Sequence, residues 1–296
     1  MSDSKKLPSS VGEKTYVFFC YLFILILCLS ILYPFIYMVS ASLSSSTAVM
    51  KNDVVFLPVG FTTNAYKVVA GYNGIWVAYA NTIFYTVVGT LVNLALTILA
   101  AYPLSKKRWG ARKIFSFMLV FTMWFGGGQI PFYLTIKNLG LLNTRLAILI
   151  YGAISTYYVI IFRTHFESLP DSLEESARIE GANDFTILWK IMIPLSKPIM
   201  AAVGLYYAIG RWNSYFWEMM ILSDENKLPV QVILQRIVIN SQLSEDVASA
   251  LTAGEQSFPM TIKFAAIVIT ALPIICIYPF LQKFFVSGAL VGSVKE

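Results

Sequence analysis

Charged residues are scarce in this 296-residue chain: they make up 13% of it, against roughly 25% in a typical soluble domain. Hydrophobic residues make up 57%. This composition excludes an ordinary water-soluble fold. Six long apolar stretches are each near the roughly 20 residues that a helix needs to cross a bilayer. The sequence therefore predicts an all-α, polytopic membrane protein with six transmembrane helices.

Residues that carry chemistry are also few. The single histidine, His165, has no second metal ligand near it in the sequence. Cys20, Cys28 and Cys276 lie within apolar runs, as small apolar side chains do, and indicate no disulfide framework. The phosphate-binding pattern Gly-x-x-x-x-Gly-Lys-Ser/Thr does not occur, and neither do Gly-x-Ser-x-Gly or His-Glu-x-x-His. We therefore expect no catalytic, metal-binding or nucleotide-binding site in this chain.

The apolar stretches place the spans at residues 16–39, 76–104, 114–134, 146–162, 199–222 and 264–285. The first run is too long for a signal-peptide core and lacks a small-residue cleavage site. In the third, the unbroken apolar part ends at Phe125 and is too short to span, so the glycines at 126–128 must lie in or at the edge of the membrane. Irregular backbone at that depth must face protein or a wet cavity.

Basic residues set the orientation. Three lysines precede the first span, and the link between the second and third spans carries five basic residues without an acid: Lys106, Lys107, Arg108, Arg112 and Lys113. The positive-inside rule places both segments in the cytoplasm. Six spans then put the N- and C-termini, and the polar loop 163–198, on the cytoplasmic side. The net charge of +6 is explained by this topology and requires no nucleic acid.

The loop reads SLEESARIEGANDFTILWKIMIPLSKP from Ser172 to Pro198. Asp171 and Ser172 are both good N-cap residues after Pro170, Ser172 and Glu175 fit a capping box, and Gly181 predicts the sharp end of this short helix. A second short helix is expected to start at Asn183 or Asp184 and to stop at the prolines 194 and 198. Two helices joined at a glycine can seat in a groove on another protein, although amphipathic helices of this kind can also simply lie at the membrane surface.

The spacing within the loop resembles a known pattern. Glu175-Ser176-Ala177, three residues, Gly181, nine residues and then Ile191-x-Ile193-Pro194 is similar to the EAA loop of binding-protein-dependent ABC importer permeases. Ser176 stands where the family usually has Ala, Glu180 where Asp is common, and Ile193 where Leu is common. The resemblance implies that these residues contact an ATPase subunit: Glu175, Ser176, Ala177, Glu180, Gly181, Ile191 and Pro194.

Segments outside the loop extend the resemblance to nearly the whole chain. They are FLPVGFTTNAYKVV, AAYPLSKKRWGARK, GGGQIPFYLTIKNLGLLNT, RWNSYFW and YPFLQKFFVSGALVGSVKE. They are similar to permeases of carbohydrate ABC importers, the MalG-type half of a heterodimeric pore, within the LplC/YtcP-like branch. The resemblance implies a type I ABC importer permease fold in a bacterial plasma membrane.

The same resemblance implies the organisation and partners of the chain. Residues 1–75 would hold the N-terminal segment, first span and extracellular loop, residues 76–285 the permease core, and residues 286–296 a cytoplasmic tail near the ATPase. The implied partners are a second, homologous permease subunit, an ATPase dimer, an extracellular or lipid-anchored solute-binding protein and membrane lipid. ATP and Mg²⁺ would bind at the ATPase, and this chain would hold no cofactor.

The fifth span contains polar residues among aromatic ones. At 100° per residue, Arg211 and Glu218, which are seven residues apart, nearly eclipse on one helical face, with Ser214 and Tyr215 between them. Charges within a span usually face a bundle interior or a water-filled path. We expect a substrate path lined by Tyr207, Arg211, Trp212, Asn213, Tyr215 and Glu218. The alternative is that the span ends near Arg211 and that these residues form an interfacial aromatic belt.

Two other functional classes fit the sequence less well. A self-sufficient, ion-coupled transporter would have paired intramembrane acids and broken, symmetry-related spans. Glu218 is the only acid of this kind that we identify, and no repeat of the two halves is visible. A membrane enzyme would need the catalytic patterns that are absent.

Overall fold

The computed structural model describes residues 11–239 and 259–293, with side chains in the last helix described as far as Ile277. This part of the chain is built of helices and loops, without strands. In chain order the helices are α1 (Val11–Ser42), α2 (Ser46–Met50), α3 (Asn64–Gly71), α4 (Asn73–Ser105), α5 (Arg112–Trp124), α6 (Gln129–Asn138), α7 (Arg145–Ile150), α8 (Thr156–Ser168), α9 (Asp171–Ile179), α10 (Asp184–Ile187), a π-helical turn (Leu188–Met192), α11 (Ile193–Leu195), α12 (Lys197–Asn213), α13 (Phe216–Ile221), a 3₁₀ turn (Glu225–Lys227), α14 (Val230–Ile239) and α15 (Pro259–Ser293). The all-α fold is as predicted.

Residues 1–72 and 241–269 group into one compact unit. Its described part contains α1, a 32-residue apolar helix whose side chains stay exposed along most of its length. A small core of Ala41, Ala48, Val49 and Val54 lies at the end of α1. Tyr37 packs edge-to-face on Phe264, with ring centroids 5.7 Å apart. The exposed apolar surface of α1 is what a lipid-facing helix requires.

Residues 73–240 and 270–296 form the second unit. Its central element is α4, which packs along α12 and α8. The core between them contains Ile98, Tyr102, Val159, Phe162 and Val203, all buried. The same core extends to the segment after α8, because Ile187, Leu188 and Met192 are buried in it as well. One packed layer thus joins the long helices to the predicted loop.

Three described helices are long and apolar enough to cross a membrane alone: Lys14–Ser42, Asn73–Ser105 and Met260–Ile277. The count reaches five if each of two bent pairs is one span. One pair is α5 and α6, which are bent by 116° at the glycines. The prediction of irregular backbone at 126–128 is confirmed, since α5 ends at Trp124 and α6 begins at Gln129.

Two predicted spans are not continuous helices. The span 146–162 is divided between α7 and α8, which are separated by residues 151–155. The span 199–222 is divided between α12 and α13, because Ser214 takes the extended backbone conformation (φ −71°, ψ 134°). The carbonyls freed where α7 ends find a side-chain partner from α12, as described below, and this allows the helix to end inside the protein.

Of the C-terminal tail predicted at 286–296, α15 covers residues as far as Ser293, and residues 294–296 lie outside the described part.

The hydroxyl of Tyr207 joins three elements. It lies 2.7 Å from the hydroxyl of Thr97 on α4 and accepts a hydrogen bond from the backbone N–H of Ser155 at 3.2 Å. Both Tyr207 and Thr97 are buried. This hydroxyl therefore fixes the start of α8 and the side of α12 against α4.

We expect Tyr207→Phe to lower the free energy of unfolding by about 1–2 kcal/mol, because the Ser155 N–H and the Thr97 hydroxyl each lose a partner. Thermal unfolding of the detergent-purified protein measures this loss. Tyr157→Phe, at an exposed tyrosine of α8, is the matched control and should leave the midpoint unchanged. Equal midpoints for the two variants would contradict the assigned role of Tyr207.

Candidate functional site

The predicted loop folds as two short helices that reverse at Gly181; we refer to residues 171–195 as the coupling segment. The N–H of Ala182 donates to the carbonyl of Ala177 and the N–H of Gly181 to that of Arg178, both at 2.9 Å. These two bonds form a Schellman motif, which requires a left-handed residue, and Gly181 supplies it with φ +83°. The predicted glycine joint is confirmed.

The start of the second helix is also as predicted. Asn183 caps α10, since its Oδ1 accepts a hydrogen bond from the N–H of Thr186 at 2.8 Å. The side chain thus satisfies one of the N–H groups that a helix start leaves unpaired. Asp184, in the first turn of α10, complements the helix dipole.

Two details of the prediction are wrong. The first helix begins at Asp171 after Pro170, so Ser172 lies inside the helix and does not cap it; its carbonyl accepts from the Ser176 hydroxyl. Pro194 does not stop the second helix. The π-helical turn before it, in which Ile193 donates to Leu188, replaces the α-helical bonding that a proline disrupts. The chain then bends by 82° between Leu195 and Lys197.

The coupling segment has one buried and one exposed face. Ala177 packs into the core and Ile191 is partly buried against it, so these two predicted contact residues support the segment from within. The other five predicted residues are exposed: Glu175, Ser176, Glu180, Gly181 and Pro194. Most of the predicted set therefore lies on a free surface of this chain.

Three large apolar residues of the segment are exposed, and the sequence analysis did not select them as contact residues. Ile179 is 88% exposed, Phe185 67% and Trp189 64%. The rings of Phe185 and Trp189 are stacked with centroids 6.2 Å apart. Their i, i+4 spacing in a helix was the available signal. We call Ile179, Phe185 and Trp189 the apolar patch; exposed apolar groups of this size are typical of an interaction surface, and Glu175 and Glu180 of the same segment are exposed as well.

Two acidic residues of the coupling segment pair with Lys106 and Arg108, which the sequence analysis considered only as evidence for the orientation of the chain. Glu174 forms an ion pair with Lys106 and lies 2.8 Å from Arg178. Asp184 forms ion pairs with Arg108 and Arg178. Burial alone would raise the pKa of the Glu174 carboxyl, but hydrogen bonds from Lys106 and Arg178 outweigh it and lower that pKa.

The substrate path predicted in the fifth span has a different geometry. Because Ser214 and Tyr215 interrupt the helix, Arg211 and Glu218 do not share one helical face, and the prediction that they do is wrong. Tyr207, Arg211, Trp212 and Glu218 are buried within the chain. Asn213 and Tyr215 are exposed, and the Asn213 amide donates to the carbonyl of Ile209 in its own helix.

Arg211 is a structural residue of the second unit. It is 9% exposed, and its guanidinium donates to the carbonyls of Ile148 and Tyr151, each at 2.7 Å, to that of Leu149 at 3.3 Å and to Asn93 Oδ1 at 3.0 Å. These carbonyls are the unpaired acceptors at the end of α7. A Cβ atom on Gly89 would lie 3.1 Å from Arg211 Nε, so the glycine makes room for the guanidinium beside α4.

A group of three aromatic rings includes Trp217, which follows the break after α12. Trp217 packs edge-to-face on Phe132 with centroids 4.6 Å apart, and Tyr151 lies 5.3 Å from Trp217 and 5.4 Å from Phe132. All three are partly exposed. Glu218, beside them, accepts a hydrogen bond from the Ser214 hydroxyl at 2.9 Å. This aromatic triad was not predicted, because its members come from three separate segments.

Comparison with known proteins agrees with the fold. Residues 74–290 match the family described as "Binding-protein-dependent transport system inner membrane component". The chain is 39% identical over 275 residues to the polygalacturonan/rhamnogalacturonan transport system permease protein YtcP of Bacillus subtilis (strain 168), covering 93% of this chain and 96% of the relative. It is 40% identical over 265 residues to protein LplC of the same organism, covering 88% of each chain.

A solved structure is similar over nearly the full length. It is a chain from the crystal structure of a bacterial ABC transporter involved in the import of the acidic polysaccharide alginate. The TM-score is 0.89 at 42% sequence identity, and the match covers 95% of this chain and 100% of that chain. An identity of this size supports more than a shared fold.

Arg211→Met should lower the free energy of unfolding by about 1–3 kcal/mol, because the carbonyls at the end of α7 lose their donors in a buried site. Thermal unfolding of the purified chain measures the effect. Asn213→Ala, two residues along the chain and exposed, is the control and should not shift the midpoint. If Arg211→Met leaves stability unchanged and alters only transport kinetics, Arg211 contacts substrate and the structural role is wrong.

Proposed function

The chain belongs to the family of binding-protein-dependent transport system inner membrane components, and from this premise we propose that it is one of two permease subunits in an ATP-driven importer of oligosaccharides or related glycans. As a permease it carries out no chemistry of its own. The observation that carries the proposal is the coupling segment: two helices fixed at Gly181, with one face in the core and an apolar patch exposed.

The apolar patch is the proposed contact with the ATPase. Ile179, Phe185 and Trp189 would insert into a groove of the ATPase, with Glu175 and Glu180 at the polar rim, as in a helix-in-groove interface. ATP and Mg²⁺ bind at the ATPase, and this chain holds neither. The ATPase dimer engages one such segment from each of two homologous permeases, so this chain supplies half of the pore.

Movement of the segment reaches the pore through packed contacts. Ile187, Leu188 and Met192 are buried in the core that also contains Phe162 and Val203. A packed core transmits displacement because it has few voids. The ATP-bound, closed ATPase dimer must favour one pore conformation over the other, since a partner can shift a conformational equilibrium only by its differential affinity.

The proposed cargo is a polar glycan. The relatives are named for transport of polygalacturonan, rhamnogalacturonan and arabinooligosaccharides, and the similar structure is of an alginate importer. Partly exposed rings at Phe132, Tyr151 and Trp217 offer apolar faces on which a sugar ring can stack. An extracellular or lipid-anchored solute-binding protein delivers the glycan, and another polar solute is the alternative cargo.

The family places the chain in the bacterial inner membrane, and we propose that both termini face the cytoplasm. The basic residues 106–113 support this orientation by the positive-inside rule. The coupling segment then lies on the side where ATP is available. The exposed apolar length of α1 contacts lipid.

Proteoliposomes that contain this chain, its partner permease, the ATPase and the solute-binding protein should take up oligogalacturonates or alginate oligosaccharides only with ATP inside. Omission of the ATPase should abolish uptake, because this chain has no energy source of its own. Radiolabelled glycan retained on filters measures it. Uptake driven by an ion gradient without the ATPase would refute the proposal.

Replacing both rings of the patch, with Phe185→Ala and Trp189→Ala together, should weaken ATPase binding by about tenfold or more, as expected when interface anchor residues are truncated. Co-purification and binding of the ATPase to the permease in nanodiscs measure the affinity. Phe117→Ala, at a 70% exposed ring of α5, is the control and should bind as the unmodified chain does. An equal effect of both changes would place the contact elsewhere.

Gly181→Val should reduce ATP-dependent uptake, because a β-branched residue at φ +83° is strained by about 1–3 kcal/mol. A Cβ atom there would meet no neighbour within 4 Å, so the effect comes from the backbone and not from a clash. Gly181→Asn is the control, since Asn tolerates the left-handed region. Uptake by the Val variant that equals uptake by the Asn variant would show that the joint is not required.

A further inference from the structure

Three ion-pair contacts join the short link after α4 to the coupling segment, and two more lie within the segment itself. Arg108 lies 3.5 Å from Glu174, Arg178 lies 2.8 Å from Glu174, and three further contacts join Lys106 to Glu174, Arg108 to Asp184 and Arg178 to Asp184. We call these five residues the charge clasp. Each acid contacts more than one base, so the clasp is a network and not a set of isolated pairs.

The clasp is partly shielded from solvent. The side chains of Lys106 and Glu174 are 13% and 16% exposed. The Lys106 ammonium also lies over the ring of Tyr102, 4.7 Å from its centroid. Salt screens such a pair less than a fully exposed one, and networks hold charges in place better than single surface pairs do.

The clasp stays ionised at neutral pH. Burial tends to raise the pKa of Asp184, but hydrogen bonds from Arg178 and Arg108 lower it below the ordinary value, and the pKa of Glu174 is lowered as described above. A carboxylate with a lowered pKa contributes its stability above its ordinary range and loses it only as the pH falls through the lowered value. Physiological pH changes therefore do not open the clasp.

The link that carries the bases is short and ordered. It turns through backbone bonds from Lys106 to the carbonyl of Pro103 and from Trp109 to that of Lys106. Trp109 stacks on Phe115 at the start of α5, with centroids 5.1 Å apart. The clasp therefore attaches the coupling segment to the end of α4 through a short connection, since Lys106 directly follows the last residue of that helix.

A second ion-pair group supports the same link. Glu167, near the end of α8, accepts from Arg163 at 2.9 Å and forms an ion pair with Arg112. The basic residues around the link thus pair with Glu167, which precedes the coupling segment, and with Glu174 and Asp184, which lie within it. Apolar packing alone is non-directional, whereas paired charges fix orientation and register.

We propose that the link 106–109 is a second coupling element, in which the charge clasp passes movement of the coupling segment directly to α4. This inference rests on the proposed function. In turn α4 holds α12 through Asn93, which accepts from Arg211, and through Thr97, which pairs with Tyr207. A push on the coupling segment then reaches α12 along two routes, one through the 82° bend at its own end and one through α4.

The test compares Lys106→Glu, which places like charges together in the clasp, with Lys107→Glu as its matched control. Lys107 is exposed and forms no ion pair with a described residue, so the control has the same charge change in the same link. Lys106→Arg is the conservative variant. Lys106→Gln, which removes the charge without repulsion, replaces Lys106→Glu if that variant does not fold.

The first readout needs no transport. Hydrogen–deuterium exchange of the purified chain should be faster in residues 171–187 for Lys106→Glu and unchanged for Lys107→Glu and Lys106→Arg. Equal exchange in all variants would overturn the clasp whether or not the chain imports glycans. Failure of the wild-type complex to take up glycan with ATP would instead overturn the proposed function.

The second readout is the number of glycans taken up per ATP hydrolysed by the assembled complex. It should fall at least about fivefold in Lys106→Glu, the lower end of coupling effects between linked sites. Lys106→Arg should restore it and Lys107→Glu should leave it unchanged. An unchanged ratio, or loss of the ATPase from the Lys106→Glu complex, would overturn transmission through the clasp.

Discussion

The structure depends on one requirement: every backbone group freed where a helix breaks within the packed unit must find a partner. Arg211 meets it at the end of α7, where one guanidinium serves three carbonyls. The coupling segment meets it locally, through the two bonds around Gly181 and the cap at Asn183. Because the breaks are satisfied in place, short helices can lie against the long ones without loss of order.

The hydrogen bonds at these helix breaks also explain how the coupling segment can pack into the core with some residues and expose others. The reversal at Gly181 lets Ala177 and Ile187 enter the core while Ile179 and Phe185 stay exposed. An unbroken helix of this length would have carried its exposed stripe along one straight line. After the reversal, Phe185 and Trp189 stack on each other at the exposed side, and such a ring pair suits a groove on a partner.

The long helix α4 connects the two polar centres of the second unit. At one end the ion pairs of Lys106 and Arg108 hold the coupling segment. Further along, Thr97 and Asn93 hold α12 and the guanidinium of Arg211. The polar side chains Asn93 and Thr97 of α4 are buried, while Leu91 and Leu99 on the same helix are exposed, as expected for a helix with one side in lipid. In the proposed arrangement, α4 thus links the coupling segment to α12 independently of the bend between Leu195 and Lys197.

The sequence by itself determined the features that follow from local chemistry. Length and apolarity identified α1 and α4, glycines located the break after Trp124, and Gly181 and Asn183 fixed the joint and cap of the coupling segment. Tertiary structure alone decided the partners of Arg211, which lie 60 to 118 residues away, and the pairing of Lys106 with Glu174 across 68 residues. It also decided the break at Ser214, where no glycine or proline gives a signal. These features depend on groups brought together by folding, and neither helical periodicity nor residue propensity can specify them.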